Sequence, residues 1–422
     1  NVSLHVKLHH AMKRVSCALI TSTAPDFAHT PLSLAEYKHY AASVKANSGR
    51  ILGFCGLGAY PDTTSSRRLL ANVRQAFDFY KRNSGLGRQA MPAGEAAIVY
   101  SYETRRRNMA EAARAHTLEC FGMSRLLQEC HIPWDFLIPE IDDSFEALSR
   151  YRLILLPAVS CLSDRFVESL NRYVAGGGRL LATGEAGTWK TADIRRRSHP
   201  LARVLGIQPQ GGSTEGCFHV ADAFEPIVMV GRAFKIAARG KVLRRIIPPG
   251  AARSVFVQKD IVPADRPAGP AVVKQRHESG ASIYAAFEPG KFYYEQGHYQ
   301  TRELLESMLD EIYPEPLRLI QAKLPDTVEV TVTEQPEQRR RIIHLVNKTT
   351  SGHYMGRETN HAIHQVVPLE NLELTIRRVP TGAAVSLVDL DGTLKRSGNM
   401  LRVHLRRLEQ YGAITIKIGE TL

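Results

Sequence analysis

Apolar positions in the first part of the chain fall into short runs that alternate with stretches of helical spacing, which is typical of strands alternating with helices. The predicted elements are strands at 14–20 and 51–58, helices at 34–45 and 66–82, and a loop at 21–31. Ser33 precedes the first helix and Glu36 stands three positions later, as in a capping box. Residues 1–93 therefore predict two βα units, closed by a linker that contains Gly and Pro.

The same alternation is clearer in the middle of the chain. The predicted elements are strands at 95–101, 134–138, 151–157, 179–183 and 281–287, and helices at 114–130, 165–174 and 301–312, the last two capped by Ser163 and by Thr301. Residues 151–157 are almost continuously apolar, as in a strand buried on both faces of a parallel sheet. Residues 218–257 change to short alternating strands, which we interpret as an insertion. Residues 94–324 thus predict a doubly wound α/β domain.

The last part of the chain contains almost only strand signals, separated by turn residues. The predicted strands are 327–333, 341–347, 372–376, 384–388, 401–405 and 413–418. A small antiparallel β-sandwich over residues 325–422 is the natural interpretation. The predicted fold class is therefore α/β, with three domains at 1–93, 94–324 and 325–422.

Composition excludes several classes of protein. Hydrophobic residues make up 44% and charged residues 23%, which is typical of a globular chain. No run approaches the roughly 20 apolar residues of a membrane helix, so we expect no membrane partner. A net charge of +13 permits a polyanionic partner without requiring one. The six cysteines show no C-x-x-C spacing, which favours free thiols and a cytoplasmic protein.

The turn that follows the strand at 179–183 is the first candidate site. Doubly wound sheets bind ligands just beyond the carboxyl ends of their strands. Gly184 and Glu185 occupy that place, so we take both as candidate ligand-binding residues. A plain turn from strand to loop is the alternative.

Asp26 and His29 are the catalytic candidates. They follow the first predicted strand, and if that strand belongs to a barrel, its carboxyl end lies on the functional face. A turn-forming Asp is the alternative for Asp26. The acidic residues at 140–143 are interpreted as a solvated loop.

We expect neither a metal nor a cofactor. The His and Cys pairs at 9–10, 120 with 130–131, and 361 with 364 lack the four-ligand spacing of a structural zinc site. Arginine clusters at 105–107, 195–197 and 339–341 have no aromatic residues beside them, so nucleic-acid binding is not expected either.

Residues 151–164 and 173–187 carry a resemblance to a known family: they look like the β-galactosidase trimerisation domain. The resemblance continues through residues 250–287, and at 341–347 and 367–374 it is similar to the C-terminal sandwich of related hypothetical glycosyl hydrolases. That trimerisation domain has a class I glutamine amidotransferase-like fold without amidase chemistry. Gly184 is the position nearest the amidotransferase cysteine, and the closest thiol, Cys161, follows the preceding strand. We therefore expect no thiol catalysis.

The resemblance also implies what the whole enzyme contains. In such enzymes a (β/α)₈ barrel comes first and carries both catalytic carboxylates, and a barrel needs about 250 residues. Residues 1–93 match its last two βα units. The acid/base residue would then lie upstream of Asn1, and Asp26 is the only acid in the loop where a nucleophilic Glu would stand.

The resemblance thus predicts the C-terminal portion of a β-galactosidase-like glycoside hydrolase. Its main role would be assembly with further copies of itself, as a trimer, in support of a barrel that hydrolyses carbohydrate. If this piece were isolated, we expect the apolar faces of helices 34–45 and 66–82 to be exposed. Three alternatives stay open: a module that binds a small ligand or sugar in the α/β crevice, a hydrolase that uses Cys161 beside a His, and a polyanion-binding protein.

Overall fold

The computed structural model describes residues 2–13, 17–21, 23–24, 27–55, 67–82, 84–107, 112–255, 258–350 and 363–418, with backbone alone at 17–21, 23–24, 27–30, 52–55, 112, 251–255 and 258–261. The helices are α1 (Val2–Ala11), α2 (Leu34–Ala46), α3 (Arg67–Lys81), α4 (Tyr102–Arg107), α5 (Ala112–Glu129), α6 (Phe145–Ser149), α7 (Asp164–Ala175), α8 (Ala202–Leu205), α9 (Pro289–Gln296) and α10 (Tyr299–Ile312). None of these described helices is long and apolar enough to cross a membrane.

The strands of the first half are β1 (Cys17–Thr21), β2 (Thr23–Ala24), β3 (Phe27–Pro31), β4 (Arg50–Cys55), β5 (Met91–Pro92), β6 (Ala96–Val99), β7 (Trp134–Leu137), β8 (Leu153–Pro157), β9 (Arg179–Thr183) and β10 (Ile207–Val220). Those of the second half are β11 (Ile227–Ala238), β12 (Lys241–Ile247), β13 (Pro249–Val255), β14 (Gln258–Pro263), β15 (Gly269–Arg276), β16 (Ala281–Ala285), β17 (Ile320–Lys323), β18 (Val328–Gln335), β19 (Arg340–Asn347), β20 (Leu369–Ile376), β21 (Val385–Val388), β22 (Asp391–Ser397), β23 (Met400–Leu408) and β24 (Tyr411–Lys417).

The chain divides into two compact units, and the division falls within α5 and β7. The sandwich unit comprises Asn1–Gly94, Gln128–Asp135 and Arg318–Leu422, and the α/β unit comprises Glu95–Leu127 and Phe136–Leu317.

One mixed sheet organises the α/β unit. Its strand order is β11-β10-β12-β15-β16-β9-β8-β6-β7. Strands β16, β9, β8 and β6 are mutually parallel, whereas β15, β12, β10 and β11 extend the sheet in antiparallel fashion. All five residues of β8 are buried, as its unbroken apolar run predicts. The α/β class is therefore confirmed.

The insertion differs from the prediction of short strands. Strands β10 and β11 have 14 and 12 residues and pair along most of their length. Gly211 and Gly212 adopt positive φ values of 73° and 76° where the register shifts. Because residues 208–215 are exposed, their sequence lacks the alternation that marks a half-buried strand.

Two helix starts were tested by the structure. Ser163 caps α7, since its hydroxyl accepts a hydrogen bond from the Phe166 amide at 3.1 Å. The prediction that Thr301 caps a helix is wrong: α10 begins at Tyr299, and Thr301 is fully buried within it. Gly297, at φ 64°, ends the unpredicted helix α9 and lets the next helix start earlier.

Two antiparallel sheets share one core in the sandwich unit. Their strand orders are β17-β20-β23-β22 and β21-β24-β19-β18-β5. Leu374 and Val403 from the first sheet are buried together with Val330, Ile343 and Ile414 from the second. Alternate residues of these strands face inward, which is the pattern that identified them in the sequence.

The N-terminal segment belongs to the sandwich unit. Strands β1 and β4 pair in parallel, and Ser33 caps α2 as predicted, accepting the Glu36 amide at 3.1 Å. The expected loop at 21–31 is wrong, since β2 and β3 form an antiparallel pair there that is too short for a periodicity test. Helix α1 was not predicted.

The expected exposure of the helix at 34–45 is also wrong. Ala42 and Ala46 of α2 are buried in one cluster with Ile342 and Val346 of β19. The sandwich sheet therefore covers the apolar face of this helix, a contact between positions about 300 residues apart that no local pattern could indicate.

Candidate functional site

The candidate site lies at the carboxyl ends of the parallel strands of the α/β unit. From β6 the chain adds β7 on one side and later β8 on the other, so β6 and β8 flank the point where the winding direction reverses. Open α/β sheets bind ligands at such a point.

Gly184 forms a tight turn directly after β9. Its backbone has φ 59°, and its amide donates to the carbonyls of Ala285 and Phe287 at 3.0 Å. A Cβ atom at this position would lie 3.0 Å from Cγ of Glu288. A side chain at position 184 would therefore meet both backbone strain and a buried carboxylate.

Glu185 is committed to partners within the unit. Its carboxylate forms an ion pair with Arg107 at 2.9 Å and accepts a hydrogen bond from the Trp189 indole at 3.3 Å. The Arg107 guanidinium also lies 4.5 Å from the centre of the Trp189 ring. Burial opposes ionisation of Glu185, but the hydrogen bond and charge of Arg107 outweigh burial and lower its pKa.

His116 fastens the ends of β6 and β8. Its Nε2 accepts the Ser101 amide at 3.0 Å, so Nδ1 carries the proton and donates to the Pro157 carbonyl at 2.7 Å. Burial lowers the pKa of His116 to about 4, which keeps the ring neutral. The Ser101 hydroxyl donates to Glu140 at 2.7 Å and accepts from the Thr104 amide at 3.0 Å.

The thiols near this edge are not activated. Burial raises the pKa of Cys161, and the backbone amide of Cys161 donates to the Thr104 hydroxyl at 3.0 Å. The imidazole of His116 lies 3.8 Å from Sγ of Cys120, where both residues are fully buried and burial raises the thiol pKa well above its usual value. A thiolate nucleophile needs the opposite environment.

A pair of buried carboxyl groups lies beside the turn, and sequence reasoning missed it. Glu119 accepts hydrogen bonds from Thr183 at 2.8 Å and from the Lys291 amide at 2.6 Å. Burial, then repulsion from Glu288, raises its pKa to about 8. Glu288 pairs with Arg232 at 2.6 Å, yet burial still raises its pKa. The available signal was Glu119 itself, a charged residue next to the apolar stripe of α5.

Two of the three arginine clusters come together at the same edge. Arg107 and Arg195 lie 4.5 and 6.0 Å from the centre of the Trp189 ring, so an aromatic residue does stand between these clusters in space. The arginines next to these two in the chain form ion pairs with carboxylates. Arg106 pairs with Asp193 at 3.2 Å, and Arg196 pairs with Asp164 at 2.6 Å.

The side chains of both catalytic candidates lie outside the part of the chain that the structure describes. Asp26 lies outside the described residues, and His29 is described only by its backbone in β3. His361 also lies outside the described residues. Among the residues that are described, no three His, Cys, Asp or Glu side chains converge as metal ligands would.

Comparison with known proteins identifies the family. The family model described as "Beta-galactosidase trimerisation domain" matches residues 94–312. A search of curated proteins finds no match.

Several solved structures share the fold along the whole chain. Alpha-L-fucosidase isoenzyme 2 from Paenibacillus thiaminolyticus has a TM-score of 0.78 at 17% identity, covering 100% of this chain and 68% of its own. Gan42B, described as a GH42 beta-galactosidase from G. stearothermophilus, has a TM-score of 0.66 at 15% identity. The alignment covers 99% of this chain and 56% of Gan42B. The beta-galactosidase from Bacillus circulans sp. alkalophilus has a TM-score of 0.62 at 15% identity. The alignment covers 98% of this chain and 57% of that enzyme.

The chain thus spans little more than half the length of these two beta-galactosidases. The description of the matched domain implies assembly between copies of the chain. Since the family model matches more than half of the sequence and the fold agrees along all of it, this chain belongs to the family of proteins with a β-galactosidase trimerisation domain.

Proposed function

We propose that this chain is the C-terminal portion of a β-galactosidase-like glycoside hydrolase, and that its α/β unit assembles subunits into a trimer. The observation that carries this proposal is the match of residues 94–312 to the trimerisation domain, since that range includes nearly the whole α/β unit. The catalytic carboxylates of the enzyme would lie mostly outside this chain.

Two polar side chains of the crevice, Ser101 and Glu185, already have partners within the α/β unit. A ligand-binding pocket holds its ligand with a few convergent polar groups. Among the described residues, Arg107 Nη1 and Glu288 Oε2 are buried without a hydrogen-bond partner. Here Ser101 is bonded to Glu140 and Thr104, and Glu185 is bonded to Arg107 and Trp189. A ligand would have to displace these partners, so a ligand-binding role for Gly184 and Glu185 stays a secondary prediction.

We also propose that residues 1–93 contribute the last two βα units of a barrel. The parallel pairing of β1 and β4, each followed by a helix along the chain, supports this origin. Asp26 and His29 would then lie on the functional face of that barrel. The division into 1–93, 94–324 and 325–422, a carbohydrate partner and a cytoplasmic location belong to the same proposal.

The mass in solution tests the assembly. Light scattering on a sizing column should give three times the chain mass of 47.0 kDa. A sample that stays monomeric at every concentration would contradict the proposed function and favour the ligand-binding alternative.

The substrate of the whole enzyme has a second candidate. The fucosidase aligns with a higher TM-score, 0.78 against 0.66, so an α-L-fucoside competes with a β-galactoside. We expect this chain to hydrolyse neither a nitrophenyl α-L-fucoside nor a nitrophenyl β-galactoside, because most of the proposed catalytic carboxylates would lie outside it. Turnover of either one would overturn that proposal and would identify the substrate class.

A further inference from the structure

The turn between β10 and β11 carries an aromatic side chain that the unit leaves uncovered. Phe224 is 99% exposed. Burying a Phe side chain is worth about 1.5–3 kcal/mol, so a fully exposed one contributes nothing to folding of the unit. Single exposed apolar residues are common, and Phe224 needs neighbours before it indicates a surface.

Two further exposed apolar side chains belong to the same hairpin and to the helix beside its turn. The Gln300 amide donates a hydrogen bond to Glu225, which places this turn beside the start of α10. Tyr299, the neighbour of Gln300, is 62% exposed, and Val230 on β11 is 54% exposed. We call Phe224, Val230 and Tyr299 the hairpin patch.

Charged residues lie two positions along the chain from members of the hairpin patch: Asp222 from Phe224, and Arg232 from Val230. Asp222 pairs with Arg244 at 2.9 Å, and Arg232 pairs with Glu288 at 2.6 Å. An apolar centre with a polar rim is the usual composition of a protein–protein interface.

On the side of β10 away from β11, the strand pairs along only part of its length among the described residues. Strand β10 pairs with β11 on one side, and among the described residues β12 pairs with β10 only at His219 and Val220. Residues 208–215 of β10 are exposed. Unpaired N–H and C=O groups on such an edge can bond to another chain.

We propose that the β10–β11 hairpin, with Phe224 at its tip, is the surface of the α/β unit that docks onto a second copy of this chain. This inference rests on the proposed assembly, which supplies the occupant. A closed ring of three requires a heterologous contact, so the hairpin patch meets a different surface of the neighbouring subunit. A single substitution in the patch then disrupts every interface of the ring.

Three substitutions in the full chain test the assignment. Phe224→Asp and Val230→Asp each place a charge in the patch. Ile194→Asp is the control: it places a charge elsewhere in the α/β unit, on a side chain that is 54% exposed, as Val230 is. Sedimentation equilibrium should show at least a tenfold weaker association for both hairpin variants and no change for Ile194→Asp. Circular dichroism should show unchanged folding, because these side chains are exposed, and Phe224→Ser serves if Phe224→Asp fails to fold.

The outcomes separate this inference from the proposed function. A wild-type trimer whose hairpin variants associate as tightly as wild type overturns the hairpin assignment and leaves the assembly intact. Equal dissociation by Ile194→Asp also overturns the assignment. A monomeric wild type overturns both proposals.

Discussion

Glu329 of the sandwich unit and Glu119 of the α/β unit are both buried glutamates, at 3% and 0% exposure, yet their pKa values move in opposite directions. Burial alone opposes ionisation of both. The charges placed around each carboxylate therefore decide the outcome.

Glu329 lies among cations. Lys348 pairs with it at 2.8 Å, and Ser3 donates a hydrogen bond to it at 2.9 Å. The charge of Lys7, which is 3.7 Å from Asp135, also acts on Glu329. Burial raises the pKa of Glu329, but these attractions outweigh burial and the net direction is downward.

Glu119 lies among neutral donors and a second carboxyl group. Thr183 and the Lys291 amide donate to it, but the cation of this cluster, Arg232, is bonded to Glu288. The comparison teaches that a cation beside a buried carboxyl group lowers its pKa only where the attraction outweighs the cost of burial, as it does at Glu329 and not at Glu288.

The largest expected effect comes from removing a cation beside Glu329. Lys348→Met leaves this carboxylate buried with its nearest cation gone, and the free energy of unfolding of the sandwich unit should fall by about 3–5 kcal/mol. Urea unfolding measures the change. Lys323→Met is the control. Lys323 pairs with Glu373, but its side chain is 81% exposed, and exposed ion pairs stabilise by only about 0–1 kcal/mol. If both substitutions lowered the free energy of unfolding equally, the cation beside Glu329 would have no special role in stabilising the buried carboxylate.

Glu119→Gln should stabilise the α/β unit. The pKa of Glu119 is about 8 in the folded state and 4.5 in the unfolded state, so folding favours the protonated form. The contribution of Glu119 to the free energy of unfolding is therefore largest below pH 4.5 and falls as pH rises to about 8. Glutamine cannot ionise, so at pH 7 it should recover about 3 kcal/mol. Denaturant unfolding between pH 5 and about pH 8 measures this slope.

The test of Glu119 is the slope of the free energy of unfolding against pH. The wild-type stability should fall with pH across that range more steeply than the variant's. Glu306→Gln is the control, because Glu306 is 36% exposed on α10 and should leave the slope unchanged. Parallel pH profiles of wild type and Glu119→Gln would show that Glu119 ionises normally.

Gly184→Ala should have the smallest effect, a destabilisation of about 1–2 kcal/mol from the positive φ. The new methyl group would also lie 3.0 Å from Cγ of Glu288, so part of the cost should depend on the buried carboxyl pair. Gly176→Ala is the control, since Gly176 has φ −77°. Thermal unfolding compares the two, and an equal loss from both would show that position 184 has no special constraint.

Local patterns predicted most elements because their causes lie within a few residues. The buried run of β8 and the serine caps of α2 and α7 occur where the sequence indicates. The same reasoning missed α1 and α4, and it placed a cap at Thr301, which is buried inside α10. Burial by distant residues overrode the local signal in that last case.

The sequence by itself determined the α/β class, the family resemblance and the place of the Gly184 turn, since each depends on spacing along the chain. Only the tertiary structure decided the chemistry around that turn. Arg107 reaches Glu185 across 78 positions, and the Lys291 amide reaches Glu119 across 172. Electrostatic partners are chosen by distance in space, so the ionisation of a buried group follows from the fold and not from the residues beside it in the chain.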